Sequence, residues 1–168
     1  MRRRVWGSLC GIGIMFAVSG CATYQPISEG YAGPKAIIID TGMTEDGSKA
    51  RIYYVASIDG NTIENARIKT RLSSYGTGMT LHMKTAQRAV PIRPMKLRLV
   101  ASHIVGAPIH EMASRAVGTF FDVEGDVDFM PEAGATYLVK GDLQKTGSSV
   151  WLEEVGKDGP VTRKIGSK

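Results

Sequence analysis

Short runs rich in β-branched and aromatic residues recur from Lys35 onward, each followed by turn chemistry, and this rhythm restricts the fold more than any other feature. The runs are Lys35 to Asp40, Arg51 to Ile58, Met79 to Met83, Met95 to Val105, Phe120 to Phe129, Tyr137 to Leu143, Val150 to Val155 and Val161 to Ile165. Between them lie Glu45-Asp46-Gly47, Asp59-Gly60, Tyr75-Gly76-Thr77-Gly78, Pro131-Glu132-Ala133-Gly134, Thr146-Gly147 and Lys157-Asp158-Gly159. Strands of this length and spacing predict an all-β fold, an antiparallel β-sandwich of roughly seven to nine strands over residues 35–165. Asp59-Gly60 is the best tight-turn pair, since such a turn needs positive φ, which glycine supplies and aspartate tolerates. The last three runs read as a meander. Tyr53, Tyr54, Phe120, Phe121, Phe129, Tyr137 and Trp151 fall inside these runs, where large rings fill the space between sheets. The neighbours Tyr53-Tyr54 and Phe120-Phe121 put one ring on each face of a strand.

One segment breaks the two-residue rhythm. Ile109, Met112, Ala113, Ala116 and Val117 recur at helical spacing with His110, Glu111, Ser114 and Arg115 between them. The pattern predicts one short amphipathic helix near 108–117, started after Pro108 and packed on the sheet.

The first residues are of another kind. Arg2, Arg3 and Arg4 precede an uncharged, mostly apolar run from Val5 to Val18. A charged start and an apolar run shorter than the ~20 residues a membrane span needs read as an export signal. Val18-Ser19-Gly20-Cys21 then has the form of a lipobox, and here the chain resembles the bacterial lipoproteins. That resemblance implies cleavage between Gly20 and Cys21, lipid on the Cys21 thiol, and a membrane anchor of two or three acyl chains. Ala22, where enterobacterial lipoproteins carry aspartate for inner-membrane retention, implies the outer membrane, facing the periplasm. Residues 1–20 are therefore read as a signal, 21–34 as a lipidated tether with two prolines and two glycines, and 166–168 as a frayed end.

Removal of the signal changes the arithmetic. Cys10 leaves and Cys21 carries lipid, so no thiol remains for a disulfide, a nucleophile or a metal. The three arginines leave too, and 21 basic residues against 16 acidic become 18 against 16. Neither the balance nor the compartment suits nucleic acid.

Charge is nevertheless segregated along the chain. From Asn65 to His110 there is no acid, against Arg67, Lys69, Arg71, Lys84, Arg88, Arg93, Lys96 and Arg98, while acids dominate from Glu111 to Gly156. Two readings follow: a face for anionic envelope ligands such as lipopolysaccharide or phospholipid headgroups, or basic strands paired with acidic ones. The second is the commoner arrangement. Asp122, Glu124, Asp126 and Asp128 alternate with Val123, Gly125 and Val127, which places four carboxylates on one face of a strand. That spacing invites calcium, but an extended strand holds alternate side chains about 7 Å apart, too far to converge unless Gly125 permits a bulge. A solvated or salt-bridged face is the expectation. His82, His103 and His110 with Glu111 match no compact zinc spacing, and no serine sits in a nucleophile motif, so neither a cofactor nor a metal is assigned.

The stretches Val123 to Phe129, Pro131 to Gly134, Tyr137 to Gly141 and Val150 to Glu154 also resemble uncharacterised proteobacterial lipoproteins with a small β-sandwich. The role expected from all of this is a non-enzymatic protein–protein interaction or envelope-structural module. It is anchored by lipid and partnered by the membrane and another envelope protein; binding of anionic ligands is the alternative, and an enzyme comes third.

Overall fold

The computed structural model describes residues 23–166; the arginines, the apolar run and the lipobox with Gly20 and Cys21 lie outside these residues, as do Ser167 and Lys168. The strands are β1 (Lys35–Ile39), β2 (Thr41–Thr44), β3 (Lys49–Ile58), β4 (Asn61–Thr62), β5 (Gln87–Pro91), β6 (Met95–Val105), β7 (Asp122–Phe129), β8 (Thr136–Asp142), β9 (Ser149–Glu154) and β10 (Ile165–Gly166). Two helices, α1 (Ala66–Ser73) and α2 (Pro108–Ala116), complete the set.

Two five-stranded sheets form, one in the order β10-β9-β8-β1-β5 and the other β2-β3-β6-β7 with β4 paired to β3. The fold is all-β and sandwich-like, as expected. Ten strands exceed the expected count because β4 and β10 are two-residue strands. One pair departs from the antiparallel rule: β1 runs parallel to β8, Ile38 opposite Tyr137. The final meander is present as β8-β9-β10. Asp59 and Gly60 both take positive φ, 50° and 80°, and close the β3–β4 hairpin with Ile58 opposite Asn61.

Long runs with no polar member on alternate positions give the interior its layers. Ile38, Val55, Leu97, Leu99, Tyr137, Val139 and Leu152 come from both sheets and pack into the main core, with Phe129 and Tyr137 in edge-to-face contact at 4.9 Å. The opposite face of β3 and β6 supplies Ile52, Tyr54, Val100 and Ile104 to a second cluster with Ala66 of α1 and Leu81. The rings of Tyr53 and Tyr54 thus divide between the two layers.

Two expectations need correction, and one open possibility, a bulge at Gly125, is closed. Met79 to Met83 is not a strand: side chains and loop carbonyls take its backbone bonds, Leu81 N–H donating to Gly47 O, His82 N–H to Ser74 Oγ and Lys84 N–H to Thr70 Oγ1. Gly125 opens no bulge, since β6 and β7 stay in register through Leu99 opposite Gly125; its missing side chain admits Ile165, whose Cγ2 would lie 2.9 Å from an added Cβ. The segment read as a tether also lies partly on the domain: Tyr24 is half-buried against the main core.

Candidate docking surface

The chain leaves the first sheet at Ile39 and enters the second at Thr41, and the residue at this crossing positions α1. Asp40 is fully buried. Its Oδ2 accepts from the N–H of Ala66, the first residue of α1, at 2.9 Å, and its Oδ1 from Val55 N–H at 3.1 Å, beside the register shift in β3. Arg88 of β5 donates to both oxygens at 2.8 and 2.6 Å. Burial pushes the Asp40 carboxyl above the ordinary aspartate value, against the opposing pull of Arg88 and of the two backbone donors. Asn65 caps the same helix by accepting from Ile68 N–H at 3.1 Å. Ala66 and Thr70 then face the sheet, leaving Ile68, Leu72 and the following Tyr75 outward.

Helix α2 forms where its spacing predicts, with Pro108 in its first turn, Glu111 near its start and Arg115 near its end. Its orientation is the reverse of the expected one. The apolar positions Ile109, Met112 and Val117 are 72, 73 and 73% exposed, and Ala113 and Ala116 are exposed with them. The polar positions His110, Glu111 and Ser114 are the ones turned partly inward. Charge at this end of the domain explains the inversion: Glu111 pairs with Arg71 of α1 at 3.3 Å, and Arg115 reaches Asp122 at 3.3 Å and lies 4.0 Å over the Phe120 ring. A polar inner face suits that wall, and the apolar stripe is left to the outside. Between the helices runs a groove of about 580 Å³ lined by Leu72, Tyr75, Leu81, Val105 and Pro108 among others. Exposed apolar surface gathered on neighbouring elements marks a site that another surface covers. Sequence reasoning missed α1; Asn65 as a cap and the i, i+4 spacing of Ile68 and Leu72 are the signals that identify it.

The eight basic residues do not form one face. Arg88 is buried on Asp40. Lys69 pairs with Glu64, Arg71 with Glu111, and Arg93 with Asp59. Lys96 pairs with Asp128, and Arg98 with Glu124 and Asp126. The last two pairs follow from register, Lys96 opposite Asp128 and Arg98 opposite Asp126 on β6 and β7. Arg67 donates to the Tyr54 hydroxyl, and Lys84 is exposed. The four β7 carboxylates share one outward face and meet Lys96, Arg98 and Arg115, so cross-strand pairing joins the β6 end of the basic segment to the acidic one.

The histidines stay apart, and among the described residues no three metal-ligating side chains gather. His82 is exposed and His103 is buried. Phe121 N–H donates to His103 Nδ1 at 2.9 Å, which leaves Nε2 to carry the proton toward Glu45 Oε1 at 3.3 Å. Burial, and then Lys49, hold the His103 pKa below its usual value. Burial would raise the Glu45 carboxyl, but Arg51, His103 and Lys49 together hold it below its usual value.

No family model, no curated protein and no solved structure matches the chain.

Proposed function

We propose that this chain is a lipoprotein of the bacterial outer membrane, held by lipid on Cys21 toward the periplasm, and that it works by docking rather than by catalysis. The observation that supports this reading is the inside-out helix α2, whose apolar stripe is exposed while the charged side chains around it are paired with one another. The anchored domain has two partners, the membrane and, on a face other than this stripe, a second envelope protein. Crosslinking in cells followed by pull-down, run beside a Cys21→Ser variant that cannot be lipidated, tests the proposal. Recovery of one defined envelope protein with the anchored form alone supports it. Equal recovery with both forms, or a wild-type protein found soluble and unacylated, overturns it.

A further inference from the structure

We propose that α1 and α2 lie on the bilayer that carries the anchor, with Leu72, Tyr75, Ile109, Met112 and Val117 entering the boundary between headgroups and acyl chains. The inference rests on the lipid anchor and names what covers the docking surface.

Three observations converge on a lipid surface. The first is polarity: α2 turns its apolar stripe outward and its polar side to the domain, which is the arrangement of a helix whose outer neighbour is apolar. The second is where the chain leads. Tyr24 and Pro26 lie against Ile63 and Glu64, just ahead of the Asn65 cap of α1. Cys21 precedes Tyr24 by three residues, a backbone reach of at most about 11 Å. From there α1 runs for about 12 Å, with Ile68, Leu72 and Tyr75 outward, toward α2, to which Arg71 joins it through Glu111. The short reach to Cys21 and the exposed apolar residues thus meet at the two ends of α1. The third is the rim. Arg71 and Arg115 flank the apolar residues with their charges held by Glu111 and Asp122, so no uncompensated cation borders the stripe and the stems lie beside it. A fluid bilayer moulds itself to such a surface, and its occupancy requires no matching cavity in a partner. The domain is thereby oriented, and the outer face of the first sheet, with Lys140 and Trp151, points into the periplasm for a protein partner.

Single cysteines at Leu72→Cys, Met112→Cys and Lys140→Cys, each carrying an environment-sensitive fluorophore, test this in full-length acylated protein on neutral phosphatidylcholine vesicles doped with doxyl lipid. Acylation occupies the Cys21 sulfur and is verified by intact mass. The expected result is quenching several-fold stronger at positions 72 and 112 than at 140, unchanged by high salt. Equal quenching at all three positions overturns the proposal. So does quenching abolished by salt, which would assign the contact to headgroup charge, or label-to-label contact between copies without lipid quenching, which would assign the face to a second copy. The same ranking is expected from unanchored protein with Cys10 and Cys21 replaced by serine, at higher vesicle concentration. Loss of the anchor and failure of the face are thus read separately.

Discussion

Arg88 closes on the carboxylate of Asp40, 48 residues earlier, through two hydrogen bonds of 2.8 and 2.6 Å, and joins the crossing between the sheets to the start of α1. One carboxylate here satisfies a buried cation and two backbone donors. Removing it as Asp40→Ala leaves all three without their partner and is expected to cost about 3–5 kcal/mol, read from urea denaturation. The contrast is Arg98→Ala, whose exposed pairs with Glu124 and Asp126 should change stability by less than about 1 kcal/mol. A double variant, Asp40→Leu with Arg88→Met, should recover part of the loss, because no unpaired charge then remains inside.

Acid should weaken the fold before the carboxylates begin to titrate. His103 is held neutral by burial, so its folded pKa lies below the unfolded 6.5. As pH falls through that value the unfolded chain takes up a proton that the folded chain refuses, and stability declines. Glu45 and Asp59, both held below their usual values, add a second loss at lower pH. Urea midpoints at pH 7.5 and 5.5 should therefore differ for the wild type and converge in His103→Gln. An unchanged difference in the variant would remove His103 as the cause.

Strand β8 depends on a missing side chain. A Cβ at Gly141 would fall 2.6 Å from Cδ1 of Tyr53 and 2.8 Å from the Ser149 carbonyl oxygen, so Gly141→Ala must displace backbone as well as a ring. A loss of about 1–3 kcal/mol is expected by thermal or urea unfolding.

The docking surface should separate function from stability. Ile109→Glu with Met112→Glu replaces exposed side chains and is expected to shift stability by no more than about 0.5 kcal/mol per site. Vesicle association through the helices should be lost. Leu99→Ala, inside the main core, should instead cost about 2–5 kcal/mol.

Local pattern was enough to read the strands that carry it. Met95 to Val105, Tyr137 to Leu143 and Val150 to Val155 are rich in apolar, β-branched and aromatic residues, and Asp59-Gly60 specifies its own turn, so β6, β8, β9 and the β3–β4 hairpin were legible. Elements β2 and β5 were not: Thr41–Thr44 is short with no β-rich run of its own, and Gln87–Pro91 gains its pairing from β1, distant in sequence. Helix α1 was hidden by its three cations, which drew attention to charge and away from Ile68 and Leu72. The partners of those cations lie on other strands, helices and loops, so pairing could be expected from the acids elsewhere in the chain but not which acid meets which base. For α2 the period was legible and the facing was not, since an amphipathic stripe does not say which side meets its own domain.

The parallel pairing of β1 with β8 has a consequence for the order of assembly. β1 takes one sheet neighbour from residues 87–91 and the other only from residues 136–142, and β9 and β10 follow beyond. Until the last quarter of the chain is available, the first sheet is divided and the main core is open on one side. A domain that depends on so distant a pairing folds slowly and stays open for most of its synthesis. Truncation before Thr136 should accordingly abolish folding altogether, where an N-terminal-first domain would retain a folded remnant.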